Sequence, residues 1–157
     1  MNTDQKEQKK PDALAFLKAH KTGVLATLSP EHTPHARLVY YASDDSFKIY
    51  FLTLSNTHKA EDISRDAHAA FVVATEEVPQ ELQMSGTIED LTDSAILDPV
   101  VSELFANLKS NEMYGAPVTR FDAAKILFYC FTPSLIRWGD FTSGHTSDEV
   151  FTDIPTN

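Results

Sequence analysis

The sequence predicts a mainly β domain with flanking helices, arranged as an antiparallel barrel or sandwich, and three observations predict it. Short segments rich in Val, Ile, Thr, Tyr and Phe recur along the chain: "GVLATLS", "HARLVYYAS", "FKIYFLTL", "AAFVVATE" and "LQMSGTIEDL". Turn-like clusters such as "PEHTP" and "DDS" separate most of them. The length of 157 residues, with 42% hydrophobic and 23% charged, suits one buried core and is short for two.

Taken in order, residues 1 to 10 are polar and charged without an apolar period, and read as a flexible leader. Pro11 suits the first turn of a short helix over 11 to 20, carrying Leu14, Phe16 and Leu17. Gly23 ends that helix and strands follow. In "HARLVYY" the two-residue period sets Arg37, Val39 and Tyr41 on one face, with Leu38 and Tyr40 on the other. Segments 35 to 43 and 47 to 54 are expected to pair as a hairpin around "DDS", which would bring Arg37 close to Thr53. "THKAEDISRDAH" interrupts the strands as a short helix. Residues 93 to 110 place Val101, Leu104, Phe105 and Leu108 at helical spacing. Two more strands are expected at "AKILFYCFTP" and "LIRWGDF". The folded domain is thus expected over 11 to 142, with 143 to 157 a polar tail that has little to bury.

Composition excludes several function classes. A formal charge of −10 argues against nucleic acid and anionic membrane surfaces as partners, since both rely on clustered Lys and Arg. No stretch approaches the roughly 18 apolar residues of a bilayer span. A single cysteine, Cys130 in "KILFYCFTP", rules out an intrachain disulfide and reads as a small buried hydrophobe. The N-terminus lacks the apolar core of a secretory signal, and both features favour the cytoplasm. None of the five glycines forms a G-x-G-x-x-G or P-loop pattern, so a phosphate site would have to be built differently.

The stretch "FLTLSNTHKAEDI" offers such a site. Ser55, Asn56 and Thr57 are N-cap candidates for a helix starting near His58, and a helix start presents unpaired N–H groups to an anion. Thr57, His58 and Lys59 add a hydroxyl, an imidazole and an ammonium there. Lys59 in a first turn opposes the helix dipole unless an anion intervenes. Taken alone, these residues leave open the plainer reading of solvated surface charges and a simple cap.

With these residues in view, 11 to 139 resembles the FMN-binding split-barrel family typified by pyridoxamine 5′-phosphate oxidase. "TGVLATLS", "TPHARLVYY", "FKIYFLTLSNTHKAEDI", "AAFVVA" and "MSGTIEDL" follow that family's order and spacing. The resemblance implies a six-stranded antiparallel split β-barrel and a homodimer with FMN at its interface. It implies that Arg37 meets the phosphate, that the backbone of Leu38, Val39 and Tyr40 faces the flavin ring, and that Leu52 and Thr53 flank it. "THK" resembles the family's hydroxyl-Arg-Lys phosphate grip, with His58 standing where many relatives carry Arg. Gln83 lies where the second subunit often contributes polar contacts, and Trp138 resembles an aromatic near the cofactor. The true oxidases end in an arginine- and histidine-containing substrate clamp, which "GDFTSGHTSDEVFTDIPTN" lacks. The small general-stress-protein-like members are therefore the better match.

The resemblance implies an FMN-dependent oxidoreductase acting on a small molecule, with no side chain nominated as acid or base. A non-catalytic flavin-binding stress-response module is the first alternative. A haem-binding barrel using His145 is the second, and a deazaflavin is a third candidate ligand. His32 and His35 in "HTPH" lack a third ligand, so no metal is expected.

Overall fold

One antiparallel sheet carries the architecture of the computed structural model, which describes residues 3–93, 99, 102–104, 106, 126–142 and 150–156. The chain runs α1 (Thr3–Ala19), β1 (Thr22–Leu28), β2 (Pro34–Tyr40), β3 (Ala42–Ser43), β4 (Ile49–Leu54), α2 (His58–Arg65), β5 (His68–Thr75), β6 (Gln80–Asp90), β7 (Ile126–Asp140) and β8 (Phe151–Ile154). Strand order is β2-β1-β5-β6-β7-β4-β3, and β8 pairs with β7.

Alternation decides which face is inside. In β4, Ile49, Phe51 and Thr53 are buried while Tyr50, Leu52 and Leu54 are half-buried on the opposite face. The inward residues of the other strands join them, among them Leu25, Val39, Phe71, Leu82 and Phe131. Ala13, Phe16 and Leu17 of α1 complete this core, and the Phe16 ring meets Trp138 edge-on at 4.9 Å.

The curl of the sheet depends on β7, which pairs with β6 along one edge and with β4 and then β8 along the other. Pro133 stands opposite Gly86 and Leu135 opposite Ser85, so Ser134 is an extra residue at a bulge. Proline lacks the N–H of a regular ladder, and the bulge is where the strand tolerates it. Two expected strands thereby become one of fifteen residues.

The structure corrects several other expectations. The sheet has eight strands among the described residues rather than six, because β3 and β8 were not foreseen. The first helix begins at Thr3 and contains Pro11 within it, so residues 3 to 10 are helical. The segment expected to be a polar tail supplies β8, with Thr152 and Ile154 buried against β7. The expected hairpin forms only at Ala42 and Ser43, while β2 pairs with β1 instead. The cause lies at Tyr41, whose N–H bonds the Lys21 carbonyl and whose buried hydroxyl donates to the Leu17 carbonyl at 2.6 Å. These bonds pin the chain to α1 and β1 before it can continue alongside β4. Of the helix expected over 93 to 110, most positions lie outside the described residues; 99, 102–104 and 106 are helical and Leu104 is buried.

Gly86 faces backbone across the bulge: a Cβ there would lie 2.1 Å from the Thr132 carbonyl oxygen and 2.8 Å from Pro133 Cα. Gly86→Ala is therefore expected to lower unfolding stability by roughly 2–3 kcal/mol, since backbone cannot step aside as a side chain can. Urea unfolding of the two proteins measures it.

Candidate functional site

Where β4 runs into α2, Thr57 takes the N-cap in extended conformation. Its hydroxyl accepts from the Ala60 N–H at 3.3 Å and lies 3.1 Å from that of buried Thr53. The expected cap and helix start are thus both in place. From that start the helix turns Ala60, Asp62 and Ile63 inward, although a carboxylate is an unusual residue to bury.

Asp62 is 2% exposed, and a single oxygen, Oδ2, collects three donors from two strands. Thr27 Oγ1 of β1 donates at 2.8 Å, His35 Nδ1 of β2 lies at 3.0 Å and Arg37 Nη2 of β2 donates at 3.4 Å. Arg37 Nη1 also donates to Thr27 Oγ1, which holds both arms of the guanidinium. Burial pushes the Asp62 carboxyl upward, but the bonds from Thr27, His35 and Arg37 outweigh it and hold the group below the usual carboxylate range.

Lys59 contrasts with this satisfied pair. It is half-buried, and among the described residues no carboxylate forms an ion pair with it. Burial and then the charge of Arg37 push its ammonium down to about 8. Two cations from neighbouring elements therefore converge near a helix start, and Asp62 pairs with only one of them. Beside them opens a cleft of about 570 Å³ lined by Pro34, His35, Ala36, Arg37 and His58.

The sequence-predicted residues thus fall into groups. Arg37, Thr57, His58 and Lys59 gather around the start of α2. Arg37 does so without the expected neighbour: it stands opposite Leu25 of β1, and its side chain reaches Thr27 and Asp62. Tyr40 and Leu52 meet in a second apolar cluster on the outer face, with Leu54 and Phe128 around buried Ile126. Leu38 is 58% exposed and pairs across the strands with exposed Val24. Val39 lies in the core. Gln83 sits on β6 opposite Val72 and Arg137, its amide donating to Glu81. Trp138 is buried and borders a different cleft, shared with Phe16, His20 and Asp140. His145 lies outside the described residues.

Sequence reasoning missed Thr27, His35 and Asp62. A signal for Thr27 was present, because it follows Gly23 and Leu25 on the inward face of β1, where a hydroxyl needs a partner. Among the described residues no group of three or more His, Cys, Asp or Glu is placed to hold a metal ion, and no helix is long and apolar enough to cross a membrane.

Comparison with known proteins bears on this geometry. Residues 10–130 match the family model described as pyridoxamine 5′-phosphate oxidase. A pyridoxine/pyridoxamine 5′-phosphate oxidase of Salinibacter ruber is 33% identical over 67 residues, which cover 43% of this chain and 31% of that protein. The chain therefore matches about a third of the length of that curated relative. Among solved structures, a Clostridium acetobutylicum protein related to general stress protein 26 superposes with a TM-score of 0.63 at 16% identity, over 87% of this chain and 92% of that one. A haem-binding protein from Mycobacterium smegmatis superposes at 0.70 with 14% identity, over 94% of this chain and 57% of that one. At such identities the two structures establish the shared split-barrel fold.

Asp62 is depressed by partners that exist only in the folded state, so its stabilisation is complete above the unfolded carboxylate range, near pH 4, and fades as pH falls through its lower folded value. Asp62→Ala is expected to cost about 3 kcal/mol at pH 7, because Arg37 is left facing a buried gap. Urea unfolding from pH 7 down to 2 should show the difference from wild type narrowing at the acid end.

Proposed function

The chain belongs to the pyridoxamine 5′-phosphate oxidase family, and from that premise we propose that it binds FMN and serves as an FMN-dependent oxidoreductase acting on a small molecule. The observation that carries the reading is Lys59: a half-buried ammonium, unpaired among the described residues and set beside Arg37 at a helix start, is unfavourable until an anion arrives. A phosphate monoester complements that unpaired charge, and the adjoining cleft has room for it.

In this reading Arg37, Thr57, His58 and Lys59 hold the phosphate. Arg37 arrives already oriented by Thr27 and Asp62, so little conformational freedom is lost when it binds. Thr57 keeps the helix start open by capping it. The backbone of Leu38 to Tyr40 and the side chains of Tyr40 and Leu52 provide an apolar bed for the ring. Bound there, the flavin would supply the electron or hydride transfer, while the protein fixes its position and electrostatic setting. The reading places the protein in the reducing cytoplasm, where a buried free thiol such as Cys130 persists.

The exposed apolar pair Val24 and Leu38, next to the Tyr40–Leu52 cluster, supports a second copy of the chain as the cover for this face. Gln83 would then serve the site of the opposite copy. A haem or deazaflavin ligand on the same barrel is the competing reading, and the absorption spectrum and mass of the cofactor released on denaturation separate the three.

Two outcomes are expected. Lys59→Met should weaken FMN binding about tenfold while raising the apo melting temperature at pH 7 by about 2–4 °C. The second effect follows from sign: the folded value near 8 lies below the unfolded one, so the unfolded chain holds more protons between them and the charged Lys59 destabilises the apo fold below that window. Flavin titration and a thermal melt read the two effects separately. Leu38→Glu should shift the protein from dimer to monomer in sedimentation velocity, with FMN affinity falling alongside.

A further inference from the structure

His35 was read from sequence as half of an incomplete metal pair, yet the fold puts it on the buried carboxylate beneath the basic cluster. An ionised carboxylate can only accept, so the His35 nitrogen facing Asp62 Oδ2 at 3.0 Å carries a proton. That contact fixes the tautomer. The Nε2 edge is the one left over for the cleft that His35 lines with Arg37 and His58. In the neutral ring Nε2 is a lone pair, which repels phosphate oxygens; with a second proton it becomes a donor.

The surrounding charges make this edge matter. Arg37 of β2 is matched by Asp62 of α2, so that pair adds no net charge to the cleft. What remains along it is His58 of α2 and His35 itself, with Lys59 of α2 close to Arg37 beside it, while Thr27 of β1 contributes only a hydroxyl. Protonation of His35 is therefore a large fraction of the charge that a dianion would meet.

We propose that His35, braced by Asp62, is a further ligand for the phosphate end of the flavin nucleotide, gripping it when the ring carries both protons. This rests on the reading that the cleft takes a flavin phosphate, and adds to it a hold that strengthens as pH falls. The side chain is 40% exposed, so solvent screening keeps the effect at the lower end of charged hydrogen bonds.

The test compares FMN and riboflavin titrations of wild type and His35→Gln between about pH 5.5 and 8.5, each also in a His58→Gln background. At a given pH the phosphate's own titration, with a second pKa near 6, is common to both proteins and cancels in their ratio. Wild type is expected to bind FMN about five- to tenfold more tightly than His35→Gln at the acid end, the ratio approaching one at the alkaline end. Riboflavin should show no difference at any pH, and the His58→Gln background should keep the trend. A preference for FMN over riboflavin in wild type, with a His35→Gln ratio that does not change with pH, overturns this inference alone. Equal affinity of wild type for FMN and riboflavin overturns the phosphate reading and this inference with it.

Discussion

The Asp62 carboxylate is the contact on which the rest of this site depends. It sits in an eight-residue helix too short to hold its place by backbone bonding alone, and it draws donors from both β1 and β2. Those bonds seat α2 against the sheet and aim its first turn. They also hold the Arg37 guanidinium in one orientation. Half of the local positive charge is thereby tied into the structure, and the other half, on Lys59, is left without a partner among the described residues. A site that neutralised both cations internally would have nothing left to attract a ligand.

The sheet serves this arrangement by separating its two faces. Its inner face is filled by aromatic and branched side chains from seven strands and by α1. The candidate site lies instead at the outer face and the strand ends. On the outer face Tyr40, Leu52, Leu54 and Phe128 gather around Ile126, apolar yet only half covered. The charged cluster lies where β1 and β2 meet α2, on side chains in phase with core Leu25 and Val39.

Much of this was legible in the sequence because it is local. The two-residue period of "HARLVYY" correctly divided Val39 and Tyr41 from Leu38, and the run Ser55, Asn56, Thr57 correctly announced a cap, which Thr57 supplies. Strand identity survived for the same reason. What escaped was long-range: Thr27 and His35 face each other across β1 and β2, but Asp62 lies 35 and 27 residues further on, and nothing local says that one carboxylate will gather them. The wrong partner for Arg37 has the same origin, since the hydrogen bonds of Tyr41 to Lys21 and Leu17 decide against the nearest hairpin. The strand at 151 to 154 was hidden by composition, because only Ile154 and Thr152 of "FTDI" are fully covered.

Trp138 is the only tryptophan in the chain, and its indole N–H is buried with no acceptor among the described residues. The ring packs edge-on against Phe16 of α1, so its light emission reports on one place, the seat of the first helix on the sheet. Any event that lifts that helix would admit water to the indole and redden its fluorescence, which gives this protein a built-in optical gauge of its own N-terminal docking.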